Sequence, residues 1–156
     1  MKKVYDVIVI GAGHAGIEAA LAAARMGKST LLTTLEKAGV ALMPCNPAIG
    51  GTAKGHLVRE VDALGGQMGL SADEALLQIK MLNRGKGPAV FSLRGQADKA
   101  LYHDIMLRVL KNQKNLDVLY DETTEILVKD GVSHGITTLE NGEIEGRAVV
   151  IATGVY

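Results

Sequence analysis

A single cysteine, Cys45, excludes an internal disulfide framework and a metal site built from clustered thiolates. Long apolar runs are lacking too: none reaches the ~18 residues of a membrane-spanning helix. Net charge is absent, since 17 Lys and Arg balance 17 Asp and Glu, so charge gives no argument for a nucleic-acid partner. Aromatic residues are few, with one Phe, four Tyr and no Trp, although a hydrophobic share of 47% is that of a globular protein. No internal repeat, low-complexity linker or metal-ligand spacing is found. The opening Met1-Lys2-Lys3 leads into an apolar segment too short for a signal peptide, with no cleavage-type segment after it, so a cytoplasmic protein is expected. Glycine, by contrast, is abundant: 19 residues, which suits tight turns and close approach of backbone to ligand. A chain of 156 residues is long enough for a real core and amounts to about one domain.

The densest pattern lies near the start. Val7 to Ile10 does not alternate and reads as a buried parallel strand. It breaks into Gly11-Ala12-Gly13-His14-Ala15-Gly16, and an Ala-rich helix over Ile17 to Met26 follows, with Gly27 as its C-cap. Strand before and helix after turn a weak Gly-x-Gly-x-x-Gly match into a dinucleotide-binding fingerprint. Gly11 permits the turn, Gly13 lets a pyrophosphate approach the backbone, and Gly16 lets helix and strand pack closely. The helix N-terminus would offer its free N–H groups to the phosphates. The competing reading is three glycines in an ordinary strand–helix turn.

Lys28 to Thr34 is a second β-type run. An acidic residue often ends this strand and binds ribose. Here Thr33-Thr34 ends it and Glu36 lies two residues on, so the Thr34 hydroxyl is the candidate ribose ligand. A long loop is expected over 35–52, then a helix over Ala53 to Leu64 with Thr52 as N-cap. Ser71 to Glu74 reads as a capping box opening a short helix over Glu74 to Leu82. A second glycine-rich loop is expected over Asn83 to Arg94, and an amphipathic helix over Gln96 to Lys111. Leu116 to Tyr120 reads as a third parallel strand. Asp130-Gly131 and Asn141-Gly142 then separate three short strands, an antiparallel meander where a plain nicotinamide-binding domain would use a helix. Ala148 to Ala152 returns as a buried strand ending in Thr153-Gly154.

A meander followed by an apolar strand ending in Ala-Thr-Gly resembles the FAD domain of flavoproteins with two dinucleotide sites. The fold class expected is therefore α/β, an FAD-binding Rossmann-type parallel sheet with a three-stranded antiparallel meander crossover. The resemblance spans residues 4 to 154 and implies FAD rather than NAD in the first site. Gly11, Ala12, Gly13, His14, Ala15, Gly16, Thr34, Thr123, Thr153 and Gly154 form the expected cofactor-binding set.

Longer strings narrow this. Cys45-Asn46-Pro47-Ala48-Ile49-Gly50-Gly51, then Lys54-Gly55-His56-Leu57-Val58-Arg59-Glu60-Val61-Asp62-Ala63-Leu64-Gly65-Gly66, resembles the signature of the MnmG (GidA) family. So do Leu82-Asn83, Lys86-Gly87-Pro88-Ala89-Val90 and Arg94-x-Gln96-Ala97-Asp98. The resemblance implies an FAD-dependent enzyme that, with the GTPase partner MnmE, installs carboxymethylaminomethyl on the wobble uridine of tRNA. It further implies NADH, methylene-tetrahydrofolate as one-carbon donor, and a homodimer away from membranes. Family members run to several hundred residues, so an N-terminal fragment, inactive alone, is expected.

Cys45 has two readings. It is a small buried hydrophobe, or a nucleophile whose thiolate is favoured by a following helix N-terminus with Lys54, His56 and Arg59 downstream. The resemblance implies the second: a thiolate adding to the uracil ring and activating the neighbouring carbon. His14 reads as a filler whose backbone matters, more than as an acid–base group. Lys54, Arg59 and Asp62 also fit a solvated helix face, and Lys86 and Arg94 fit either phosphate contacts or surface charges. Two rival functions stand beside the tRNA enzyme: a generic FAD oxidoreductase for a small molecule, and a non-catalytic nucleotide-binding module.

Overall fold

The computed structural model describes residues 3–43 and 46–154. In chain order the elements are β1 (Val7–Ile10), α1 (His14–Arg25), β2 (Thr30–Thr34), a 3-10 turn (Lys37–Gly39), β3 (Ala48–Gly50), α2 (Lys54–Ala63) and α3 (Met68–Glu74). There follow β4 (Leu76–Leu82), a second 3-10 turn (Pro88–Val90), β5 (Ser92–Ala97), α4 (Lys99–Asn112), β6 (Leu116–Tyr120), β7 (Thr123–Lys129), β8 (Val132–Thr138), β9 (Gly142–Glu145) and β10 (Val149–Ile151). They divide into two units, residues 1–42 with 107–156, and residues 43–106.

The first unit holds a four-stranded parallel sheet in the order β10-β1-β2-β6. The apolar run of β1 is central because it is buried on both faces: Ile8 and Val9 have no exposed surface. Ile17, Ala20, Leu21 and Ala24 recur at helical spacing along the buried side of α1, which packs on β1 and β2. The crossover from β6 to β10 is the antiparallel meander β7-β8-β9. Asp130 and Gly131 both take positive φ, 52° and 77°, the geometry a two-residue hairpin turn demands. Ile136 of β8 is fully buried and packs with Ile8 and Leu31, which fixes the meander to the sheet.

The second unit departs from several expectations. Its centre is a three-stranded antiparallel sheet, β3-β5-β4. Residues 76–82, expected as helix, form β4: after a bulge, Gln78 to Leu82 pair residue for residue with Gln96 to Ser92, and cross-strand bonds override the helical reading. Ser71 does not open a helix. It lies inside α3, where its hydroxyl accepts from Gln67 Nε2 at 3.1 Å and faces Met106 Sδ at 3.5 Å. The loop expected over 83–94 contains the second 3-10 turn and the start of β5, and the loop over 35–52 contains the first 3-10 turn and β3.

Thr52 does not cap α2, because its hydroxyl accepts instead from Asn83 Nδ2 at 2.9 Å; the residue before the helix is Ala53, at φ +69°. The helix expected from Gln96 begins at Lys99. Asp98 is its cap, its carboxylate accepting from Leu101 N at 2.9 Å, while Gln96 and Ala97 belong to β5. Among the described residues no helix is long and apolar enough to cross a membrane.

Candidate cofactor-binding site

The carboxyl ends of β1, β2, β6 and β10 open into a cleft of about 440 Å³ in the first unit. Gly11 to Gly13, Thr33 to Glu36, Asp121 to Thr123 and Thr153-Gly154 line it. This is where open parallel sheets place their ligands.

The three glycines differ in what demands them. Gly11 sits at φ +101°, and a Cβ there would run into the Ala152 carbonyl. A Cβ on Gly16 would run into the Gly11 carbonyl. Both are required by the protein's own packing. Gly13 is not: its backbone is extended (φ −71°, ψ 176°) and a Cβ would meet nothing within 4 Å. Glycine here leaves space over the N-terminus of α1, whose first N–H groups have no partner within the helix. That space, with the helix dipole behind it, suits a pyrophosphate.

The loop is fastened through its backbone. Gly11 N donates to Thr33 O at 2.8 Å, and Ala41 N donates to Ala12 O at 2.9 Å. His14, half-buried, and Ala15, exposed, form the first turn of α1 with Gly16, whereas Gly11, Ala12 and Gly13 line the cleft itself. Thr34 is half-buried at the end of β2, and Glu36 is exposed beside it; both line the cleft. Thr123 lines it too, with its hydroxyl 3.1 Å from that of the buried Thr33. Thr153 and Gly154 close the side next to Gly11. Cys45 lies outside the described residues. Lys54, His56, Arg59, Asp62, Lys86 and Arg94 are exposed in the second unit, and Lys54 Nζ donates to Ala48 O at 3.4 Å.

The sequence reading missed Asp121, which directly follows β6. Its side chain accepts from Glu140 N at 3.2 Å, Asn141 N at 3.1 Å and Asn141 Nδ2 at 2.7 Å. Burial works against its charge, but the bonds from Asn141, Thr138 and the Glu140 and Asn141 amides outweigh it and hold the carboxyl down at about 2. Asp121 therefore clamps the β8–β9 turn to the end of β6 at the edge of the cleft. The available signal was an acid directly after a strand, facing an Asn-Gly turn.

Fold and cleft together define a Rossmann-type α/β protein whose crossover is an antiparallel meander, with its cleft where such folds place a ligand. The chain belongs to the GIDA family, described as glucose inhibited division protein A, which matches residues 6–156. It is 56% identical over 152 residues to the tRNA uridine 5-carboxymethylaminomethyl modification enzyme MnmG of Alkaliphilus oremlandii, covering 97% of this chain and 24% of the relative. It superposes on Aquifex aeolicus GidA, form I crystal, with a TM-score of 0.94 at 51% identity, covering 99% of this chain and 26% of the other. A likeness of fold alone extends to pqsL, a probable FAD-dependent monooxygenase from Pseudomonas aeruginosa, with a TM-score of 0.66 at 13% identity over 94% of this chain and 42% of the other. The chain spans about a quarter of the length of the curated relatives it matches.

Proposed function

We propose that this chain is the FAD-binding portion of an enzyme that modifies the wobble uridine of tRNA. The observation that carries this reading is its 56% identity to a relative named as an MnmG tRNA uridine 5-carboxymethylaminomethyl modification enzyme. The open space over Gly13, which the protein's own packing does not need, supports the dinucleotide. The N–H groups opening α1 receive the pyrophosphate, and the Thr34 hydroxyl, with Glu36 beside it, serves the ribose. FAD, when bound, supplies the redox capacity of the site.

Cys45 is the proposed nucleophile: its thiolate adds to the uracil ring and activates the adjacent carbon toward the one-carbon unit. NADH, methylene-tetrahydrofolate, an MnmE-type GTPase, a homodimer and a cytoplasmic setting belong to this proposal at the level of the whole protein, on the strength of the family resemblance.

Flavin binding is tested by Gly13→Val. The variant should keep its circular dichroism and melting point while losing most flavin affinity, because the new side chain fills space the protein leaves open. An unchanged FAD titration would sink the cradle. The tRNA reaction is tested by exchanging the corresponding segment of the Alkaliphilus relative for this chain and measuring wobble-uridine modification in a strain lacking its own enzyme. The chimera should restore modification, and Cys45→Ser should abolish most of it at unchanged flavin content, since serine is nearly isosteric but a far poorer nucleophile. Near-normal turnover in the serine variant, with a lowered melting point, would make Cys45 a packing residue.

A further inference from the structure

The sheet of the second unit has two unlike faces. Ile49, Ile79, Leu93 and Gly95 line a cavity together with residues of α2 and α3, so helices stand over part of that face. Alternation along the strands puts Gln78 and Lys80 of β4, and Arg94 and Gln96 of β5, on the opposite face. These four line a separate open cleft of about 280 Å³ with Asn46, Pro47, Ala48 and Leu82.

Register makes this face unusual. Lys80 stands directly opposite Arg94, and Gln78 directly opposite Gln96. Like charges facing each other across an antiparallel pair cost stability. No acid relieves them: none of the eight lining residues is acidic, and neither cation forms an ion pair among the described residues. Both are exposed, and β4 is an edge strand of the sheet, so the pair is open to solvent and to a ligand. A phosphate bridging the two cations would turn their repulsion into attraction, with one donor set from each strand. Three amide side chains, Asn46, Gln78 and Gln96, supply neutral donors and acceptors around it. Asn46 and Pro47 directly follow Cys45 in the sequence.

We infer that this face binds the phosphodiester backbone of RNA, with Lys80 and Arg94 sharing one phosphate and the amides contacting the adjoining nucleotide. The inference rests on the tRNA reading above and names the part of this chain that meets the substrate.

The test is fluorescence anisotropy of the full chain with a labelled anticodon stem-loop RNA, titrated from low to moderate salt. Lys80→Gln and Arg94→Gln should each weaken binding, and the double variant should flatten the plot of log affinity against log salt by about 0.7, the contribution of the one single-strand phosphate the two cations share. Added inorganic phosphate should compete with the RNA in the parent and lose that effect in the double variant. Neither substitution should lower the melting point at low salt, because each removes a repulsion. An unchanged salt slope in the double variant, a lowered melting point for either single variant, or no RNA binding by the parent overturns the inference. If the slope is unchanged while the chimera still modifies tRNA, this face falls and the functional reading stands. If the slope falls as expected while the chimera fails to modify, the face stands and the functional reading falls.

Discussion

In the first unit, Ile8, Val9, Ile17, Leu21, Leu32 and Ile136 have no exposed surface. In the second unit, α2 buries no side chain at all, and Leu57, Leu64, Leu77 and Ile79 stand 63%, 90%, 66% and 56% exposed. The first unit exposes large apolar side chains too, Leu35 at 70% and Leu139 at 68%, so the difference lies in what each unit buries. The first closes a core of its own around one parallel sheet. In the second, buried small residues (Ala48, Ser71, Ala72, Ala75 and Ala97) are mixed with Met43, Ile49, Tyr102, Ile105 and Met106. The stability of the first unit should therefore be carried by burial around its sheet, whereas the exposed side chains of α2 in the second should contribute little.

A pair of truncations should separate the two units most strongly. Ile8→Ala should cost about 2–5 kcal/mol, as large-to-small changes in a packed core do. Leu64→Ala should stay within about 0.5 kcal/mol, as a surface change. Denaturant titrations of both variants decide it, and equal losses would mean that Leu64 is covered in solution.

A smaller effect tests the polar fastening of the first unit. The Asp121 carboxyl sits at about 2 when folded, against about 3.9 for an unfolded Asp. A depressed folded value means that its contribution is fully present above about pH 4 and is lost as pH falls toward 2. Asp121→Asn should melt below the parent at neutral pH, and the gap should narrow steadily across that acid window. A gap independent of pH would show that the charge is not what holds the β8–β9 turn.

The smallest expected effect touches the cleft and leaves the core alone. Thr34→Ala should weaken FAD by about 0.5–1.5 kcal/mol, one neutral hydrogen bond. Glu36→Gln should do less. A larger loss for Glu36→Gln in flavin titration would hand the ribose to the carboxylate.

The same contrast explains what could be read from the sequence. β1, the glycine turn, α1 and the meander were legible because their signals are local: an unbroken apolar run, and Asp-Gly and Asn-Gly turns that close their own hairpins. The β3-β5-β4 sheet was not. Leu77 to Met81 does alternate, yet a capping-box reading of Ser71 and Glu74 set a helix there. The bonds that decide the matter come from Ser92 to Ala97, remote in sequence. Of the candidate site, Gly11, Ala12, Gly13, Thr34, Thr123 and Thr153-Gly154 converge on one cleft and His14, Ala15 and Gly16 do not line it, while Asp121 was missed because its partners, Glu140 and Asn141, lie beyond two strands.

The place of β10 beside β1 bears on the order in which this protein can be made. Val9 pairs with Val150, which lies far on in the sequence beyond the whole second unit, and the Ala152 backbone crowds Gly11. On the ribosome, the glycine turn therefore emerges first but cannot be finished until residues 149–152 have appeared. The entire second unit is synthesised in between. Contacts of such long sequence separation form slowly, since a large loop must close before they form. Until then β1 leaves one edge unpaired, and that interval is when a nascent chain with an open apolar strand most needs protection from its neighbours.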